Sequence, residues 1–97
     1  MLNSKQRAYL KSVASNLEPA FQVGKGGVSK EQAEGIAQYL KAHELIKITV
    51  LKNAAFTAKE IATDLSEALS AECVATIGHK IILYRRSKKK DFKHIEF

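Results

Sequence analysis

The sequence predicts an α/β fold with the order helix-strand-helix-strand-helix-strand-strand, a four-stranded mixed sheet packed with three helices. Three observations predict it. Three stretches place apolar residues at helical spacing behind a side chain able to cap a helix. Four short apolar stretches of strand character separate or follow them. The last two are joined only through Gly78-His79, a hairpin signal. Strands separated by single helices favour a layered α/β arrangement, and the hairpin closes the sheet with an antiparallel pair.

In the first helix, Asn3 and Ser4 are capping residues, and Gln6 stands three positions after Asn3. Leu10, Val13, Ala14 and Leu17 form one apolar stripe, and Pro19 is expected to end the helix. Ala20 to Val23 reads as a short strand. Ser29 caps the second helix with Gln32 at capping-box spacing, and Ala33, Ile36, Ala37 and Leu40 make its stripe. Gly35 costs that helix about 1 kcal/mol against alanine, a cost that close packing on a sheet would explain.

Leu45 to Leu51 is the clearest strand. Ile46, Ile48 and Val50 face one way; Leu45, Lys47, Thr49 and Leu51 face the other. Lys52 to Phe56 reads as a loop carrying a lysine, the Asn53 amide and an aromatic. Phe56 is expected to act as a hydrophobic staple on Ile61, ahead of a capping box of Thr57 and Glu60. Ile61, Leu65, Ala68 and Leu69 are the expected buried stripe of the third helix. Glu60, Asp64 and Glu67 form an acidic stripe that would repel phosphate and so place this helix away from nucleic acid. Cys73 to Ile77 and Lys80 to Tyr84 are the last two strands. Cys73 is read as a small buried hydrophobe, and Tyr84 as either a base-stacking residue or a core or sheet-edge tyrosine.

Between the first strand and the second helix lies Gly24-Lys25-Gly26-Gly27-Val28-Ser29. Two glycines flanking two residues allow a tight turn and a close backbone approach to a partner. A lysine stands at its tip and a helix start follows, with the unpaired N–H groups and partial positive charge that attract phosphate. The KH-type clamp uses the same GXXG arrangement to hold backbone nucleotides. Other glycine motifs fit less well. A Walker A loop requires Ser or Thr after its lysine, where Gly26 stands. A dinucleotide fingerprint requires a third glycine where Ser29 stands. Lys30, in the first turn of a helix, is disfavoured by the dipole unless an anion sits nearby.

The chain has 97 residues, enough for one domain with a modest core, and a single cysteine, which excludes an internal disulfide and fits a reducing compartment. No apolar run approaches the ~20 residues of a membrane helix. Residues Met1 to Lys11 do not read as a signal peptide, so the cytoplasm is expected. The net charge is +6 and unevenly spread: +4 from Met1 to Phe56, −2 from Thr57 to Tyr84, and +4 from Arg85 to Phe97. Such segregation fits binding of a polyanion, which solubility alone would not require. Lys5, Arg7 and Lys11 on the first helix, Lys52 in the loop, and Arg85 and Arg86 after the last strand are candidate phosphate contacts. The run Arg85-Arg86-Ser87-Lys88-Lys89-Lys90 reads as unstructured when free. Phe92, Ile95 and Phe97 beyond it are expected to dock on the body or on a partner.

Catalytic constellations are hard to assemble. His43, His79 and His94 sit before a strand, in a hairpin and in the tail, without a cysteine or carboxylate at metal-ligand spacing. Cys73 lies in an apolar strand, a poor place for a reactive thiolate. Ser29 is better explained as a cap than as a nucleophile. No enzyme, metal or cofactor is expected.

From about Ser4 to Arg86 the chain resembles the CRM domain (chloroplast RNA splicing and ribosome maturation), in its bacterial stand-alone form, the YhbY family. The resemblance is carried by three blocks in order: Gln22-Val23-Gly24-Lys25-Gly26-Gly27, His43-Glu44-Leu45-Ile46-Lys47-Ile48, and Ile77-Gly78-His79-Lys80-Ile81-Ile82-Leu83-Tyr84-Arg85-Arg86. It implies a fold like the C-terminal domain of bacterial initiation factor three. It also implies RNA binding through the GXXG loop and association with precursors of the large ribosomal subunit.

The expectation is therefore a CRM-like RNA-binding domain over residues 1–87 followed by a basic tail over 88–97. Its partner is RNA, with no membrane and the oligomeric state left open. The expected contacts are Gly24, Lys25, Gly26, Gly27, Val28 and Lys30, widened by Lys5, Arg7, Lys11, Lys52, Arg85 and Arg86. Two rival readings stay open, a duplex-DNA-binding protein and a protein-interaction adaptor using the apolar tail.

Overall fold

The computed structural model describes residues 2–52 and 54–86. Asn53 and the expected basic tail, with Phe92, Ile95 and Phe97, lie outside the described residues. The elements run α1 (Ser4–Ala14), β1 (Phe21–Val23), α2 (Lys30–His43), β2 (Leu45–Val50), α3 (Ala58–Leu69), β3 (Glu72–Ile77) and β4 (Lys80–Tyr84). This is the predicted order. The strands form one mixed sheet in the order β1-β2-β4-β3. β1 pairs parallel with β2, while β2–β4 and β3–β4 are antiparallel. Gly78 has φ +57 and His79 does not turn positive, the sign pattern of a II′ hairpin turn.

The alternation along β2 divides the core in two. Ile46, Ile48 and Val50 join Ile81 and Leu83 of β4 beneath Ile36 and Leu40 of α2 and Ile61 and Leu65 of α3. Leu45 joins Ile82, Tyr84 and Val74 beneath Leu10 and Ala14 of α1 on the other face. α2 and α3 thus cover one side of the sheet and α1 the other. Burying one such aliphatic side chain stabilises the fold by roughly 1.5–3 kcal/mol, so both layers are held by side-chain burial rather than by helix propensity. Gly35 brings α2 close to β1: a Cβ there would lie 3.2 Å from the ring of Phe21. That ring stands edge-on to Tyr39 at 6.3 Å.

All three helix starts follow the expected caps. Asn3 with Gln6 and Thr57 with Glu60 form complete capping boxes. At Ser29 only half of the box forms. Its hydroxyl accepts from the Gln32 amide N–H, but the Gln32 side chain instead donates to the Gln22 carbonyl at 2.6 Å, tying α2 to β1.

The helix ends depart from expectation. α1 stops at Ala14, well before Pro19. The Ser15 hydroxyl donates to the Ser12 carbonyl, and Lys47 of β2 donates its Nζ to the carbonyls of Ala14 and Leu17 at 3.3 and 3.4 Å. These bonds satisfy the carbonyls that a longer helix would have used. In α3 the buried set is Ala58, Ile61, Ala62 and Leu65; Ala68 is exposed, because the sheet beneath is met one turn earlier. α2 and α3 both end in left-handed residues other than glycine, Glu44 (φ 65) and Ser70 (φ 52).

Candidate nucleic-acid interface

The glycine segment is built by its own sequence. Gly27 donates its N–H to the Gly24 carbonyl at 3.0 Å, closing a four-residue turn with Lys25 and Gly26 at the tip. Gly27 takes φ +72, a conformation that strains any L side chain. A Cβ added at Gly26 would meet no atom within 4 Å, and Lys25 and Gly26 are both exposed. The tip is therefore bare backbone presented to solvent. Val28, half-buried, packs against the larger core cluster and anchors the turn. Lys30 follows as the first residue of α2.

The sheet topology gathers other elements around this turn. β2 runs parallel to β1 and ends beside it, with the Leu51 N–H donating to the Val23 carbonyl at 2.8 Å. Lys52 is the next residue. β4 starts alongside the end of β2: Thr49 pairs with Lys80, and the Val50 N–H donates to the His79 carbonyl at 2.6 Å. α3 also begins at this end, a few residues after β2. One end of the molecule thus carries the glycine turn, two helix N-termini, and Lys25, Lys30, Lys52, Lys59 and Lys80, all five exposed. Oriented amides, helix N-termini and cations all favour a negative ligand.

Two acidic residues enter the same region. Glu60 is held in the capping box, accepting from the Thr57 amide at 3.1 Å and its hydroxyl at 3.0 Å. Those bonds keep its carboxyl below the usual carboxylate range. Asp64, expected to keep α3 away from a nucleic-acid site, lines a cleft together with Gly26 and Gly27. The acidic stripe therefore reaches the turn, because α3 starts at this end and leans over the loop.

Phe56 shares a cleft with Ile61, its expected staple partner, and also meets the turn. Its ring lies against Gly27, 3.5 Å from where a Cβ would stand, and is 51% exposed. It lines the same cleft as Ile61 but remains largely in solvent, so it is an aromatic face offered beside the turn. Lys52, in the loop before Phe56, was legible; Lys80 was not, because only the pairing of β4 with β2 brings it here.

The remaining sequence-predicted contacts lie elsewhere. Lys5, Arg7 and Lys11 are exposed on α1, which covers the opposite face of the sheet from α2 and α3. The start of that helix is fixed at the far end, where the Leu2 N–H meets the Glu72 carboxylate at 2.9 and 3.1 Å. Arg85 is committed to the fold. Its guanidinium donates from Nη1 to the Leu69 carbonyl at 2.8 Å and from Nη2 to the Ala37 carbonyl at 3.0 Å. It bridges α3 and α2 at the end remote from the turn, so its expected role as a phosphate contact gives way to a structural one. Arg86 is exposed at that same end and hydrogen-bonds Tyr84.

Tyr84 is buried, resolving its two readings in favour of the core. Burial, and then the neighbouring Glu44, push its hydroxyl above the ordinary value. Burial likewise raises the Cys73 thiol, with Arg7 opposing, so the half-buried cysteine is a poor nucleophile. Among the described residues no three His, Cys, Asp or Glu side chains are grouped to hold a metal, and no helix is long and apolar enough to cross a membrane.

An α/β sandwich with a solvent-facing GXXG turn at the carboxyl ends of its parallel strands defines a class, and the sequence comparisons identify it. The chain belongs to the CRS1 / YhbY (CRM) domain family, whose model matches residues 2–85. It is 44% identical over 96 residues to the probable RNA-binding protein YqeI of Bacillus subtilis, covering 99% of this chain and 98% of that protein. It is 34% identical over 88 residues to an RNA-binding protein of Haemophilus influenzae, covering 91% and 89%. Its fold matches the solution structure of SAV1595 from Staphylococcus aureus, described as a candidate RNA-binding protein. That match has a TM-score of 0.79 and 45% identity, and covers 94% of this chain and 95% of the other.

Proposed function

We propose that this chain is a non-catalytic RNA-binding protein of the cytoplasm that grips the sugar-phosphate backbone with its Gly24–Gly27 turn and assists assembly of the large ribosomal subunit by associating with its precursor. The observation that carries the reading is the bare backbone tip at Lys25 and Gly26 in a rim of Lys30, Lys52 and Lys80. The RNA-binding names of full-length relatives support the ligand class. Backbone contact gives affinity and register but little sequence choice. Residues 1–87 would form the binding unit, with the basic tail extending its electrostatic reach.

The test replaces Lys25 and Gly26 together by glutamate. Both positions are exposed, and Gly26 has open space for a side chain, so circular dichroism should stay native. Affinity for ribosomal RNA fragments should fall by at least about tenfold at fixed salt, since one charge is reversed and a second negative charge is added at the contact. Unchanged affinity would remove the turn from the interface, and tighter binding to duplex DNA in matched salt would overturn the choice of RNA. Sedimentation of cell lysate through sucrose should place the wild-type protein with large-subunit precursors and the double variant at the top of the gradient. A wild-type protein remaining at the top would overturn the assembly role.

A further inference from the structure

We propose that the cleft between the glycine turn and α3 receives one unpaired nucleobase and favours the Watson–Crick edge of guanine, with Asp64 as the acceptor and Phe56 as the stacking face. This inference rests on the RNA-binding reading and adds a base-reading site to the backbone grip.

The cleft has a volume of about 290 Å³ and is walled by Gly26, Gly27, Phe56, Ile61, Asp64 and Leu65. That is the small end of the range for ligand sites, about 300–1,000 Å³, and suits a single flat ring system. Its walls are apolar apart from one carboxylate. A phosphate inside the cleft would be repelled by that carboxylate and would gain nothing from the apolar side chains of Phe56, Ile61 and Leu65. A heteroaromatic ring with N–H donors fits both features, because bases splayed from single strands are stacked on aromatic side chains and read along their edges.

Gly26 and Gly27 belong both to the turn and to the cleft wall. A nucleotide whose phosphate sits on the turn therefore has its base within reach of Asp64. Phe56 stays 51% exposed while its ring touches the Gly27 position, leaving about half of the side chain open to a base. An ionised carboxylate is an acceptor only. Guanine presents two adjacent donors, N1–H and the 2-amino group, that match its two oxygens. Uracil presents one N–H between two carbonyls, and adenine and cytosine place a ring acceptor beside their amine. The one acid that lines the cleft is thus a base discriminator rather than a misplaced charge.

Fluorescence anisotropy with short oligouridines carrying one central guanosine, inosine or adenosine, at one salt concentration, tests this. The wild-type protein should prefer the guanosine oligomer over all-uridine RNA by about fivefold or more, the discrimination expected of a bidentate contact. Inosine, lacking the 2-amino group, should fall between them. Asp64→Asn and Asp64→Ala should bring the ratio close to one without weakening binding of all-uridine RNA. Phe56→Ala should weaken every oligomer, and Phe56→Tyr should restore it. No guanosine preference in the wild-type protein, or a preference that survives both Asp64 variants, would overturn the proposal. Lys25→Glu separates the two readings: it should weaken all oligomers equally and leave the ratio intact. If it changed no affinity the backbone grip would fail, while the Asp64 ratio would still decide the cleft.

Discussion

Gly26 and Gly27 are neighbours in one turn, yet the structure assigns them different physical burdens. Gly27 sits at φ +72 beside the Phe56 ring, so a side chain there is strained by backbone geometry. Gly27→Ala should destabilise the protein by about 1–2 kcal/mol, the cost of a left-handed conformation for an L residue. In a domain of this size that lowers Tm by roughly 5–15 °C, using about 4–8 °C per kcal/mol. Gly26 has negative φ and empty space around it, so Gly26→Ala should leave Tm within about 2 °C, the effect of an ordinary surface substitution of under about 0.5 kcal/mol. Thermal melting followed by circular dichroism separates the two. The sequence marked both as loop glycines but had no way to rank them, because the sign of φ depends on how the turn joins β1 to α2. Arg85 shows the same gap. In sequence it is one of a pair of arginines opening a cationic tail; its donors are claimed by Leu69 and Ala37 only once two helices converge on it. Arg85→Ala should cost about 2–3 kcal/mol, since two charged hydrogen bonds to helix carbonyls are lost. Arg85→Lys should recover little, because one ammonium cannot span both carbonyls as the planar fork does.

At the level of elements, the starts were legible and the ends were not. Each helix begins at a side chain that satisfies its own first amides, a local transaction written within four residues: Asn3 with Gln6, Ser29 with Gln32, Thr57 with Glu60. α2 and α3 end in the left-handed caps Glu44 and Ser70, while distant side chains also reach helix carbonyls. Lys47 closes α1 from 33 residues away, and Arg85 bonds the last carbonyl of α3 and a mid-helix carbonyl of α2. The alternation of β2 was fully legible because its two faces meet two separate cores. The α3 start also has a pH signature. Bonds from Thr57 lower the Glu60 carboxyl in the folded protein below its ordinary value of 4.5. A depressed folded value means the stabilisation is complete above about pH 4.5 and is lost as pH falls through the lower folded value. Thr57→Val removes the hydroxyl that donates to Glu60 and accepts from its amide, so this variant should lose part of that acid dependence. Tm measured between neutral and acidic pH should fall less steeply for the variant than for the wild-type protein. Equal slopes would show that the capping box does not set the titration of Glu60.

Across the whole molecule, charge that looks distributed in sequence is sorted by topology. Five exposed lysines, Lys25, Lys30, Lys52, Lys59 and Lys80, stand at the end where β1 and β2 finish and α2 and α3 begin. Lys5, Arg7 and Lys11 face solvent on α1 across the sheet, and Arg85 and Arg86 mark the opposite end. Sequence reasoning grouped nearly all of these into one footprint, since a one-dimensional charge map cannot show that the sheet separates them. It missed Lys80 because nothing local declares that β4 lies beside β2. A single strand of RNA crossing the turn end would meet these five lysines and leave the α1 cations in water. Each phosphate neutralised on a single strand contributes about −0.7 to the slope of log affinity against log salt, so five contacts give a slope of roughly −3.5. Lys80→Gln should make that slope shallower by about 0.7, and Lys11→Gln should leave it unchanged. Both positions are exposed, so neither change should disturb folding. Binding titrations of a short single-stranded RNA over a series of salt concentrations read the slopes directly. Equal losses from the two variants would mean that RNA wraps both faces of the sheet, and that the turn end is only part of the contact surface.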